Sequence, residues 1–161
     1  MRLPRAIRLD QSDLHVFERP CEPGEWAIPG GFAYWEVDPA RLQGKAQLAF
    51  RNGWLGLTSF GHSTLVEIAE IDEAAFFAAV ERLARHIEAA YGAPSFGHAL
   101  AAARQEIDDA AALCEHKLGT LLAVERAPSE EGFVERFRVI QPSRAADHAK
   151  IWQVVEDDGD H

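Results

Sequence analysis

Between Asp72 and His116 the chain carries two long apolar stripes at helical spacing, joined by only Gly92-Ala93-Pro94-Ser95. No other stretch limits the fold as strongly. In the first, Phe76, Val80, Leu83, Ile87 and Ala90 share one face of a helix predicted over Glu73–Tyr91, while Glu81, Arg82, Arg85 and Glu88 face water. Asp72 is placed to cap its free N–H groups, Ile71 to staple onto Phe76, and Gly92 and Pro94 to stop it. The second helix, from about Ser95 to His116, aligns Phe96, Leu100, Ala103, Ile107, Ala110 and Cys114. So short a connection predicts an αα-hairpin.

The remaining chain reads mostly as strands. Arg5 to Asp10 and His15 to Arg19 form two short ones around the turn-prone Gln11-Ser12-Asp13. Glu25 to Ile28 and Phe32 to Val37 are aromatic and β-branched, with Pro29-Gly30-Gly31 forcing a tight turn between them. Aromatics in that pattern, Trp26, Phe32, Tyr34 and Trp35, are expected in the core rather than on a binding surface. Asp38-Pro39 starts a helix whose stripe is Leu42, Ala46, Ala49 and Phe50, and Asn52-Gly53 closes it. A hairpin of Trp54 to Phe60 and Thr64 to Ala69 is expected around Gly61-His62-Ser63, and another of Thr120 to Arg126 and Phe133 to Ile140 around residues 127–132. Beyond Pro142 the pattern weakens to one short helix bearing Ile151, Trp152 and Val155, followed by an acidic end expected to be disordered. Residues 1–141 are thus expected to form one domain and 142–161 a weakly structured acidic tail. Strands in hairpins with helices grouped between them predict an α+β fold, a largely antiparallel sheet covered on one face by about three helices. A Rossmann-type sheet is disfavoured, since neither regular βα alternation nor a Gly-rich first turn is present.

Charge and composition exclude several functions. With 161 residues, 47% of them hydrophobic, the chain suffices for a core. Its 26 acidic against 16 basic residues give a net charge of −10, which repels nucleic acid and anionic membranes. There is no run of eighteen apolar residues and no apolar secretory leader after Met1-Arg2-Leu3-Pro4-Arg5, so a cytoplasmic location is expected. Two cysteines, Cys21 and Cys114, agree with a reducing compartment and free thiols.

Chemistry concentrates in Glu106 to Thr120, where a thiol, an imidazole and several carboxylates gather. Cys114 and His116 form a Cys-x-His pair, and Glu106, about 80° round the helix from Cys114, could complete a three-ligand site for zinc, nickel or iron. Asp109 is the other carboxylate in reach. The competing reading is structural: Cys114 as a small core residue on the apolar stripe, His116 as a helix-end side chain bonding a free carbonyl. His62, in a turn beside Ser63, and His98 are further candidates for a hydrolase or transferase, which would need at least two of His62, His98 and Cys114 in one polar pocket.

Four segments carry a family likeness: Met1-Arg2-Leu3-Pro4-Arg5, Glu22-Pro23-Gly24-Glu25-Trp26-Ala27-Ile28-Pro29-Gly30, Gly61-His62-Ser63-Thr64-Leu65, and Cys114-Glu115-His116-Lys117-Leu118-Gly119-Thr120-Leu121. Together they resemble a small uncharacterised proteobacterial domain-of-unknown-function family, over roughly residues 1 to 141. The resemblance implies one domain and an association with metalloenzyme maturation; it implies no catalytic residue. Three functional classes follow: a non-enzymatic accessory or protein-interaction domain acting as a homo-dimer or with a protein partner; a metal-binding accessory protein using Cys114 and His116; and a small hydrolase or transferase.

Overall fold

In the computed structural model, which describes residues 1–142 and 152–156, the helical hairpin has the anticipated form. Helix α3 (Glu73–Tyr91) starts at Asp72, whose carboxylate accepts from Ala75 N at 2.7 Å, and ends at Gly92 in the left-handed conformation. Helix α4 (Phe96–Ala112) starts at Ser95, whose Oγ accepts from His98 N. It ends four residues before His116. The facing stripes, Phe76, Ala79, Val80, Leu83 and Ile87 against Ala99, Ala103, Ile107 and Ala110, are buried together with Leu3, Ile28, Leu55 and Leu57.

The fold is α+β. Strands β1 (Arg2–Ile7), β5 (Leu65–Glu70), β6 (Leu121–Ser129), β7 (Gly132–Pro142) and β8 (Trp152–Glu156) form one antiparallel sheet in the order β1-β5-β6-β7-β8. Strands β2 (Ala27–Ile28), β3 (Trp54–Gly56) and β4 (His62–Ser63) form a second, in that order. Two small helices complete the chain: α1 (Asp13–Val16), one turn long, and α2 (Gly44–Asn52). Val66, Ile68, Leu122, Val124 and Val139 project from the large sheet onto Trp54, Ala27 and Cys114, making a second apolar cluster.

Several local expectations change. His15 to Val16 lies in the one-turn helix rather than a strand, because Asp13 is buried and pinned by Thr64 N and Oγ1 (3.2 and 2.6 Å). The expected hairpin of residues 54–69 divides between the sheets: β3 pairs with β4, while β5 turns away to pair with β1 and β6. The helix expected from Asp38 is interrupted, a 3-10 turn at Pro39–Arg41 preceding α2. The loop 127–132 shrinks to two residues, since Ser129 pairs with Gly132 and Pro128 with Phe133. Trp152–Glu156, expected to be helical, is a strand paired with β7, where backbone hydrogen bonding to an available edge replaces a weak helical pattern. Ile151 and residues 157–161 lie outside the described residues.

Candidate functional site

The segment Phe32–Val37 departs most consequentially from its predicted strand. Gly30 takes φ +77°, and a Cβ there would sit 2.7 Å from Leu55 Cβ, so the chain turns sharply against β3. Gly31–Tyr34 then winds into a 3-10 turn. Winding takes the aromatics out of strand alternation and distributes them around the turn. Tyr34 packs edge-on against Phe50 (5.1 Å) and lies under the Arg126 guanidinium; Phe32 meets Tyr91 edge-on (5.4 Å); Trp35 is left 72% exposed.

Trp35 forms the shared wall of two adjoining hollows. One, of about 300 Å³, is enclosed by Gly31 and Phe32, by Glu106, Asp109 and Leu113 of α4, and by Phe133, Glu135 and Phe137, which alternate along β7. The other, of about 500 Å³, lies between Trp35, Val37, Ile87, Tyr91 and Ala102. Phe32, Trp35 and Glu106 line both. Aromatic walls and a few convergent polar groups are the usual make-up of a binding cleft.

The electrostatics of the smaller hollow are set by three carboxylates and one guanidinium. Glu106 is half-buried, and burial, reinforced by Asp109 and Glu135, pushes its carboxyl up to about 7. Asp109 Oδ1 accepts from Gln105 Nε2 (2.9 Å). Glu135 Oε2 accepts from Arg126 Nε (2.7 Å), and the Arg126 side chain, wholly buried, also donates to the carbonyls of Phe50 (2.8 Å), Gly53 (3.1 Å) and Pro29. A Cβ on residue 31 would lie 2.9 Å from Glu135 Oε2, so Gly31 permits the carboxylate's close approach.

A model of a protein family of unknown function, DUF6505, matches residues 1–157. The chain belongs to the DUF6505 family. The match takes in β8 as well as residues 1–141. Comparison with curated proteins and with solved structures gives no match.

The candidates read from the sequence of this DUF6505 chain are dispersed. Cys114 is 6% exposed in the cluster with Trp54 and Ile68, its Sγ directed at Ala110 O, and burial pushes its thiol up to about 12. It lines a third hollow with Met1, Arg2, Phe76 and Arg104, away from Glu106. His116 is half-buried past the end of α4, its carbonyl accepting from Arg2 (2.7 Å). Among the described residues no three His, Cys, Asp or Glu side chains are grouped so as to hold a metal ion. His62, in β4, packs on Phe17, and burial, aided by Arg126 and Arg19, lowers it to about 4. His98 is exposed at the start of α4, Nδ1 2.7 Å from Ser95 Oγ. None of these three hollows brings two of His62, His98 and Cys114 together. Cys21 is buried and free, its thiol pushed up by burial and by Glu25, a carboxylate itself held by Thr58 N, Ser59 N, Ser59 Oγ and Glu22 N.

In the sequence Glu106 and Asp109 stood out but were attached to Cys114, Trp35 was expected in the core, where the structure instead leaves it 72% exposed, and Glu135 had no site role. One signal pointed to Trp35: as a strand, residues 32–37 would set Phe32 and Tyr34 on one face and Trp35 and Val37 on the other, apolar on both sides.

Proposed function

We propose that this chain is a non-enzymatic cytoplasmic accessory domain that docks a partner protein in the cleft beside Trp35. The observation that carries the proposal is a tryptophan left 72% exposed at the junction of two aromatic-lined hollows, in a chain where Trp54 is wholly buried. Tryptophan is over-represented among residues that dominate binding energies, and its exposed neighbours Val37 and Tyr91, with the half-buried Phe32, give a partner apolar area to cover. An enzymatic reading has less support, because both thiols are buried and protonated at neutral pH and His62 is neutral in the interior.

The test is a photo-reactive amino acid placed at position 35 in cells that make the chain, with position 118, exposed and lining neither hollow, as control. The adduct formed from position 35 is identified, the partner purified, and its affinity measured against wild type and Trp35→Ala. At least a tenfold loss in the variant is expected; equal affinity, or equal adducts from both positions, overturns the proposal.

A further inference from the structure

Taking that docking reading as its basis, we infer that the cleft receives a lysine side chain of the partner, its aliphatic stem along Phe32 and Trp35 and its ammonium among Glu106, Asp109 and Glu135.

Charge complementarity selects a cation. Three carboxylates line one hollow of about 300 Å³, and the nearby guanidinium, Arg126, is already committed to Glu135 Oε2 and three backbone carbonyls. The net charge of −10 adds a long-range pull on a basic segment. A cation here also gains from the aromatic faces, for which tryptophan is the best partner.

The arrangement of acceptors selects an ammonium over a guanidinium. Guanidinium pairs best with both oxygens of one carboxylate through its planar fork, whereas an ammonium directs three N–H donors apart. Here one oxygen of Asp109 is taken by Gln105 and one of Glu135 by Arg126. Asp109 and Glu135 therefore each offer a single oxygen and only Glu106 keeps both, so one cation tip meets acceptors on three separate side chains, which three diverging donors match better than one planar fork. The same dispersion makes the group unfit for a metal ion. Lysine also buries a long apolar stem while keeping its charge at the tip, which suits a hollow with Phe32, Trp35 and Phe133 along its walls.

The full chain is titrated with 12-residue peptides carrying one central lysine between leucine and phenylalanine, and with the same peptides bearing arginine, Nε-acetyl-lysine or norleucine there. Expected is at least tenfold tighter binding of lysine than of norleucine or acetyl-lysine, and a clear preference over arginine. The double variant Glu106→Gln, Asp109→Asn abolishes the preference while still binding the norleucine peptide; Glu131→Gln, exposed and outside the cleft, leaves it unchanged. Affinity for lysine rises between pH 6 and 8 as Glu106 ionises against Asp109 on its own helix, the Glu135–Arg126 pair from the sheet, and Glu36 and Tyr91 across the larger hollow. Equal binding of lysine and norleucine overturns the cation while leaving the docking surface standing. Equal binding of arginine overturns the ammonium geometry. Equal loss in Glu131→Gln assigns the effect to overall charge and overturns the site. If no peptide binds while the partner cross-linked at position 35 does, this inference fails alone.

Discussion

Arg126 binds four polar groups, as many as Glu25 does, but draws them from three other elements. Fully buried, it ties β6 to the end of α2 through Phe50 and Gly53, to the end of β2 through Pro29, and to β7 through Glu135. Arg126→Met would leave a partly buried carboxylate and three carbonyls without their donor, so a loss of about 3–5 kcal/mol in urea unfolding is expected. Adding Glu135→Leu should recover part of it; additive losses would count against the pairing. Glu106 has the opposite character. In the fold it keeps its proton up to about pH 7, in the unfolded chain only to its ordinary value near 4.5. Between these pH values the native state binds more protons, so Glu106 lowers stability progressively as pH rises, fully so above 7. Glu106→Gln is therefore expected to match wild type near pH 5 and to exceed it at pH 8. Solvent screening of a half-exposed group limits the gain to roughly 1 kcal/mol. A difference independent of pH in paired melting curves would show that Glu106 is not the titrating group. For Cys114, a thiol held up to about 12 inside an apolar cluster is a poor ligand, since metal binding requires the thiolate. Protein purified without an affinity tag is expected to hold less than about a tenth of an equivalent of zinc, nickel or iron, and its thiols to react with a thiol reagent only on unfolding; stoichiometric metal lost in Cys114→Ser would reverse this assignment.

Among elements, the contrast lies between α3 and the 3-10 turn at Gly31–Tyr34. Helix α3 was legible in Asp72, in the Phe76–Val80–Leu83–Ile87 stripe and in Gly92, because local capping and burial agree there. Asp72→Ala is expected to cost about 1 kcal/mol of thermal stability, the usual worth of an N-cap. The 3-10 turn was not legible. Its residues have strand propensity, and only the packing of Gly30 on Leu55 and of Tyr34 between Phe50 and Arg126 overrides it. Since Trp35 projects from this turn with little burial, Trp35→Ala should change stability by no more than about 0.5 kcal/mol while removing docking. A substantial melting shift would mean that Trp35 is structural.

At the scale of the molecule, the expectation concerns the last strand. The strand Trp152–Glu156 covers the outer edge of β7. A chain ending at Pro142 is expected to remain folded, with a fall in melting temperature under roughly 8 °C, and to self-associate more readily through the uncovered edge. A larger fall would place Trp152–Glu156 within the cooperative core. Among the described residues no helix is long and apolar enough to cross a membrane.

What the sequence determined by itself was whatever depends on neighbours along the chain: the α+β class, the helical hairpin with Asp72 and Gly92 bounding its first helix, and the β6–β7 hairpin. Those follow from periodicity and capping, which act over three or four residues. Only the tertiary structure decided that β5 leaves β3 and β4 to pair with β1 and β6, that Arg126 joins three elements, and that Glu106 faces Trp35 and Glu135 rather than Cys114. Each of those depends on long-range pairing, such as Arg126 with Pro29 across the sheets, and spacing along the chain carries no record of it.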